Sequence, residues 1–151
     1  MDHQAISDQM LAEHELLGHI TSGLRTVLGW KTGDYDLSRQ LSSARFTAGS
    51  FQRHLERLMS LEEHDGYMEV VVKRKPQLAK EVDALRLEHE EFRGSLNKTV
   101  HRLERLSPTD HARYSAVRDE LLVLLEKVDK HSAKETGLLQ EAFLRDEGAA
   151  D

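Results

Sequence analysis

Apolar residues recur along this chain at alternating spacings of three and four, which is the period of helices that pack in a bundle. The third of four such segments is the clearest. Its apolar positions are Leu78, Val82, Leu85, Phe92, Leu96, Val100 and Leu103. No segment shows the strict alternation of a half-buried strand. The pattern therefore predicts four helices, each with one apolar seam.

Three short stretches of turn-forming residues separate the segments. They are 30–36 with Gly33, the basic connector 72–76 ending in Pro76, and 107–110. Ser107-Pro108-Thr109-Asp110 has the form of a capping box, which predicts that the last helix begins there with proline in its first turn. Short connections force consecutive helices to run antiparallel. We therefore expect an all-α, antiparallel up-down-up-down four-helix bundle as a single domain over 1–147, with 148–151 as a frayed tail.

The predicted seams are interrupted by ionisable residues. These are His14, Glu62, His89, His131 and Glu135. A buried histidine or glutamate is unfavourable unless a partner satisfies it. Together the five occupy all four segments, and they indicate a bound cation in the core.

The spacing of His131 and Glu135 supports the same interpretation. Residues four apart stand one helical turn apart on one face, about 6 Å along the axis, so both side chains can reach one metal ion or two adjacent ions. The alternative for each residue alone is simpler. A single seam histidine is commonly a hydrogen-bonded core residue, and a His–Glu pair at this spacing is commonly a surface ion pair.

The composition of the chain excludes several kinds of metal site and partner. The chain has no cysteine, which excludes thiolate zinc sites and iron–sulfur clusters. Its net charge of −6 argues against nucleic acid or an anionic membrane as the partner. No apolar run approaches the length of a membrane span and the first residues do not resemble a signal peptide, so we expect a cytoplasmic protein.

The remaining charged positions are expected on the surface. Five histidines are predicted to be solvated: His3, His19, His64, His101 and His111. The run Glu88, Glu90 and Glu91 around His89 reads as a solvated face, one member of which could orient an imidazole from outside the site.

The order of these residues resembles the hemerythrin-like HHE cation-binding family over nearly the whole chain. Members of that family carry a histidine on helix one, His-x-x-x-Glu on helix two, a histidine on helix three and His-x-x-x-Glu on helix four. The matching stretches are Ala12-Glu13-His14, Leu61-Glu62-Glu63, Leu87-Glu88-His89-Glu90-Glu91-Phe92 and His131-Ser132-Ala133-Lys134-Glu135. The resemblance implies a non-haem di-iron centre with bridging carboxylates, held by His14, Glu62, His89, His131 and Glu135.

Two positions depart from the family pattern. Leu58 stands where the sixth ligand, a histidine, is expected. The chain then binds a single metal, recruits His54 one turn earlier as a substitute ligand, or has lost the metal and kept the bundle. Arg93 follows His89 where oxygen carriers have a second histidine, so reversible oxygen storage is disfavoured.

Three functions stay open from the sequence. The first is a module that binds one or two iron ions, or manganese or zinc, with a role in oxygen or nitric-oxide sensing or in iron handling, rather than an enzyme. Its partner would be a small diatomic ligand. The second is a metal-free structural or interaction bundle. The third is a partner-binding domain that uses the basic connector Lys73-Arg74-Lys75.

Overall fold

The computed structural model describes residues 3–31, 37–64 and 66–144, and this part of the chain is all-helical. Five α-helices lie within these residues: α1 (His3–Leu28), α2 (Ser38–His64), α3 (Tyr67–Arg74), α4 (Ala79–Glu104) and α5 (His111–Leu139). A 3₁₀ turn, Pro76–Leu78, leads into α4, and a π-helical turn, Gln140–Leu144, follows α5. The predicted tail 148–151 and most of the first predicted turn lie outside the described residues.

The second predicted segment is two helices, not one. The helical hydrogen-bond pattern stops after His64 and resumes at Tyr67, and Gly66 between them has a φ of 89°. That left-handed conformation is unfavourable for a residue with a Cβ and natural for glycine. The prediction of one continuous helix here was wrong because Gly66 redirects the chain, so that the short helix α3 precedes the proline turn.

The last helix begins later than predicted. Asp110 is its N-cap residue and His111 its first residue, so Pro108 lies outside the helix. One of the two hydrogen bonds of the expected capping box forms, since the Ser107 N–H donates to Asp110 Oδ2 at 2.8 Å. The Pro108 carbonyl accepts the Leu37 N–H at 2.8 Å, which ties this turn to the start of α2.

The four long helices enclose one apolar core. Helix α1 contacts α2 and α5, and α4 contacts the same two helices. Every apolar seam position named above for the third segment is buried. The apolar seam positions of the other three segments are buried as well: Met10, Leu17, Leu24 and Leu28; Leu37, Leu41, Ala44, Ala48, Phe51, Leu55 and Leu58; and Tyr114, Val117, Leu121, Leu124, Val128, Leu138 and Ala142. The helical period therefore identified the core face of each long helix correctly.

Buried polar groups at the far end of this core have partners. The Gln40 amide donates to the Val27 carbonyl and to the Tyr114 hydroxyl, both at 2.6 Å. Gln40 lies near the start of α2, whereas Glu62 lies near its end, about 33 Å away along the helix. Polar satisfaction at the Gln40 end is the ordinary behaviour of a protein core.

The basic connector is engaged within the fold. Arg74 Nε donates to the Ala142 carbonyl at 2.8 Å, and the guanidinium lies 5.1 Å from the centre of the Phe143 ring. Lys73 pairs with Glu69 on the same helix at 3.4 Å. The Arg74 contacts fix α3 against the π-helical turn that follows α5. Among the described helices, none combines the length and the apolar character needed to span a membrane.

Two glycine substitutions should have effects of opposite sign. We expect Gly66→Ala to lower the free energy of unfolding by about 1 kcal/mol, because the left-handed φ penalises a Cβ even where there is space for it. Gly94→Ala, at an exposed position inside α4, should raise it by about 0.5–1 kcal/mol. Chemical denaturation of both variants measures the difference, and equal effects would contradict the role of Gly66.

Candidate metal centre

The five predicted ligands come together inside the core from four different helices. They are His14 on α1, Glu62 on α2, His89 on α4, and His131 and Glu135 on α5. Each side chain is at most 7% exposed, and Glu62 and His89 are fully buried. A cluster of ionisable groups with so little solvent is a strong electrostatic feature in a small protein.

Their ligand atoms form two overlapping groups. His89, His131 and Glu135 make up the first group, and His14, Glu62 and Glu135 make up the second. Within each group the ligand atoms lie within 4.8 Å of one another. Glu135 belongs to both groups, and its carboxylate has two oxygens to offer.

Six buried side-chain atoms of these five residues have no hydrogen-bond partner. They are the Nε2 atoms of His14, His89 and His131, both carboxylate oxygens of Glu62, and Oε2 of Glu135. A buried polar atom without a partner destabilises a fold by about 1–3 kcal/mol. The residues therefore fit a bound cation, since a metal ion would accept a lone pair from each of these atoms.

The opposite ring nitrogens of the histidines are all occupied. His89 Nδ1 donates to Glu63 Oε2 at 2.9 Å, and His131 Nδ1 donates to Glu88 Oε1 at 3.2 Å. Since a carboxylate only accepts, both rings must carry their proton on Nδ1, which leaves the Nε2 lone pair free. His14 Nδ1 lies 2.6 Å from Ser132 Oγ, which can accept the same proton.

Arg93 holds Glu63 in place. Its guanidinium contacts Glu63 Oε1 at 2.5 Å and Oε2 at 3.1 Å, and it also pairs with Glu56 and Glu90. Burial alone would raise the pKa of Glu63, but the hydrogen bonds from Arg93 and His89 outweigh it and lower that pKa. Glu63 is therefore ionised and able to orient His89. Arg93, one turn after His89 on α4, thus helps to orient His89 through Glu63.

Within the first group the polar atoms approach closely. His131 Nε2 lies 2.5 Å from Glu135 Oε1 without hydrogen-bond geometry, and His89 Nε2 lies 3.9 Å from the same oxygen. The two rings are tilted, with their centres 4.9 Å apart. Three lone-pair-bearing atoms thus converge on one small volume.

Burial shifts the protonation of these groups toward their neutral forms. It lowers the pKa of His14 to about 4, assisted by repulsion from His131, His89 and His54. Burial likewise lowers the pKa of His131 to about 4, with His89 adding to the effect. Burial raises the pKa of Glu135 well above its usual range. Neutral imidazoles are the form that binds a metal ion, whereas Glu135 must give up a proton to do so.

Leu58 lies in the core, one turn before Glu62, and is 1% exposed. His54 is not a member of either group. Its Nε2 faces Glu13, 3.5 Å from Oε2 and 3.4 Å from the backbone carbonyl oxygen. Recruitment of His54 as a ligand is a prediction that would need this side chain to leave Glu13.

Several supporting residues were not identified from the sequence. Glu63 and Ser132 lie beside ligands in the chain, and nothing in their spacing distinguished them from solvated neighbours. Tyr67 donates to the Glu135 backbone carbonyl at 3.0 Å, and it was missed because α3 was not recognised. The Asp65-Gly66 dipeptide was the available turn signal.

The surface assignments hold where the structure describes them. His19, His64, His101 and His111 are exposed, and the His3 side chain lies outside the described part. Glu90 and Glu91 are exposed as well, whereas Glu88 is the member of that run that contacts an imidazole.

Acid should destabilise the metal-free protein through His14. The ring stays neutral in the folded protein down to a pKa of about 4, whereas the unfolded chain binds a proton near the ordinary value of 6.5. The free energy of unfolding therefore falls as the pH drops through this window, by about 2 kcal/mol at pH 5. We expect chelator-treated wild type to lose about that much more than His14→Gln between about pH 7.5 and pH 5.

Glu135 acts in the opposite direction, because its raised pKa makes the folded protein less stable as the pH rises. It is present in both proteins, so its contribution cancels in the comparison. Equal losses in wild type and His14→Gln by chemical denaturation would contradict a buried, neutral His14.

Comparison with known proteins finds no match for this chain. No family model matches the chain, and neither a curated protein nor a solved structure does so. Kinship with the hemerythrin-like family therefore stays a prediction that rests on the residues themselves.

Proposed function

We propose that this chain is a hemerythrin-like protein that binds non-haem metal, iron in the first place, in the core of an antiparallel up-down-up-down four-helix bundle. One observation carries the proposal: His14, Glu62, His89, His131 and Glu135 turn unpaired, buried ring nitrogens and carboxylate oxygens toward one another. The mutual contacts of α1, α2, α4 and α5 support the bundle topology.

The mixture of donors suits iron, manganese or zinc. Imidazole and carboxylate ligands match the preferences of these ions, and no thiolate is present to favour softer ones. A bound iron would supply Lewis acidity and one-electron redox chemistry. The oxygens and nitrogens of the five ligands would neutralise and fix the ion, and each would gain the partner that it lacks.

The surrounding residues fix the ligands and exclude water. Glu63 and Glu88 hold the Nδ1 protons of His89 and His131, so each Nε2 remains available. Leu58 lines the α2 side with an apolar group. A protected metal of this kind suits the sensing of a small diatomic molecule such as oxygen or nitric oxide, or the handling of iron, and we infer a role of that class.

The test is metal content after anaerobic reconstitution with Fe(II). Wild type should retain at least one equivalent of iron by elemental analysis and should melt at a higher temperature than chelator-treated protein. His89→Gln should lose most of this iron, because it removes a buried donor. His101→Gln is the matched control, since His101 is an exposed histidine on the same helix. Well below one equivalent of any transition metal in wild type contradicts the proposal.

The burial of Leu58 favours a second function, a metal-free structural or interaction bundle. An apolar side chain at the position of an expected ligand packs as an ordinary core residue. Under this function, Fe(II), Mn(II) or Zn(II) should leave the melting temperature of wild type unchanged. A clear rise with any of them rules it out.

Replacing the shared carboxylate should separate stability from metal binding. We expect Glu135→Met, which keeps a similar volume, to raise the free energy of unfolding of the metal-free protein by about 1–3 kcal/mol, because it removes a buried polar group without a partner. The same variant should lose metal-dependent stabilisation. Denaturation curves with and without Zn(II) measure both effects, and a destabilised metal-free variant would contradict the account of Glu135 as an unsatisfied group.

A further inference from the structure

We propose that the two metal positions of a di-iron centre are unequal in this chain and fill in sequence. The first consists of His89, His131 and Glu135, and the second of His14, Glu62 and Glu135. This inference rests on the proposed metal binding and specifies its stoichiometry, order and selectivity.

The geometry divides the ligands into these two positions. The two groups share Glu135 and no other residue. Oε1 of Glu135 lies near the ring nitrogens of the first group, 2.5 Å from His131 and 3.9 Å from His89. Its other oxygen, Oε2, is buried and has no partner. One oxygen of this carboxylate therefore lies against the first group, and the other has no partner and is left for the second.

The donor sets of the two positions differ. The first has two imidazoles and a shared carboxylate, whereas the second has one imidazole, the Glu62 carboxylate and the shared carboxylate. Nitrogen donors bind later divalent ions such as cobalt and zinc more tightly, and oxygen donors discriminate less against manganese. The first position should therefore bind late transition ions more strongly than the second.

The partners behind the ligands increase this difference. Both imidazoles of the first position donate to carboxylates, Glu63 and Glu88, which make the rings stronger donors. His14, in the second position, has only the Ser132 hydroxyl behind it. Losing a supporting partner of this kind typically weakens metal binding about 10–100-fold.

Leu58 adds a third difference, on the side of the second position. It lies one turn before Glu62 on α2 and is buried, so this part of the site presents carbon instead of a donor atom. The nearest alternative on α2, His54, faces Glu13. All three differences are expected to lower the metal affinity of the second position.

The experiment is an anaerobic titration of the chelator-treated full chain with Co(II), whose visible absorption reports its ligands, together with calorimetry. Wild type should bind two equivalents in two steps whose dissociation constants differ by about tenfold or more. His89→Gln should remove the tighter step, His14→Gln should remove only the weaker one, and Leu58→His should strengthen the weaker step alone.

A matched pair of glutamate variants tests the first position without removing a ligand. Glu63 and Glu90 both pair with Arg93, but only Glu63 contacts His89. Glu63→Gln should weaken the tighter step about 10–100-fold, and Glu90→Gln should leave both steps unchanged. If a ligand variant fails to fold, as judged by circular dichroism, this pair still decides the assignment.

Selectivity offers an independent readout. With one equivalent of Zn(II) and an excess of Mn(II), the protein should hold one ion of each, and the electron paramagnetic resonance spectrum should show isolated Mn(II). Two manganese ions per chain would overturn the order of filling. Two equal steps, a single equivalent, or loss of both steps in each ligand variant would overturn the two positions while leaving metal binding intact. No bound metal at all would overturn the proposed function as well.

Discussion

The core of this protein contains a cluster of buried ring nitrogens and carboxyl oxygens that have no hydrogen-bond partner. Three imidazoles and two carboxyl groups lie close together there, and each side chain is almost fully buried. Such an arrangement is unfavourable by itself, because burial removes the hydration of every polar atom involved. The surrounding structure has to hold these groups in place, and much of the polar network on this side of the bundle does so. Glu63 and Glu88 fix two rings, Arg93 fixes Glu63, and Tyr67 contacts the backbone of Glu135.

At the opposite end of the core, in contrast, polar side chains have hydrogen-bond partners. Gln40 is buried there too, yet its amide reaches two acceptors at short distance. Arg45 likewise donates to the carbonyls of Leu103 and Leu106, at the end of α4 and just beyond it. The same fold thus satisfies polar groups in one region and leaves a cluster of them without partners in another. Ser7 and Glu13 each have one further unpaired atom within the described residues, but neither belongs to a group of converging donors.

Much of this organisation could be predicted from the sequence, because it follows one simple period. The three–four spacing of apolar residues placed the core face of each long helix, and polar exceptions in those seams placed His14, Glu62, His89, His131 and Glu135. Contacts across helices could not be predicted in the same way. Whether Glu63 or Glu90 reaches His89 depends on helix rotation and side-chain length, neither of which a spacing rule supplies.

The exact ends of the helices were also not predicted correctly from the sequence. Gly66, whose φ is positive, separates α2 from α3, and the spacing of apolar residues does not reveal a backbone conformation of this kind. The start of α5 was misplaced for a related reason, since the Pro108 carbonyl is occupied by Leu37 from a distant part of the chain. Tertiary context of this kind routinely overrides local helix preferences.

The sharing of Glu135 between both groups would link any metal binding to the order in which the chain is synthesised. His14 and Glu62 are synthesised well before α5, and a domain generally folds as a unit. Neither group is complete until α5 is synthesised and packed, because α5 carries the common carboxylate. A partly made chain would therefore offer a metal ion only scattered, competing donors. Tight binding would then be a property of the finished fold, and a bound ion would oppose the departure of the last helix.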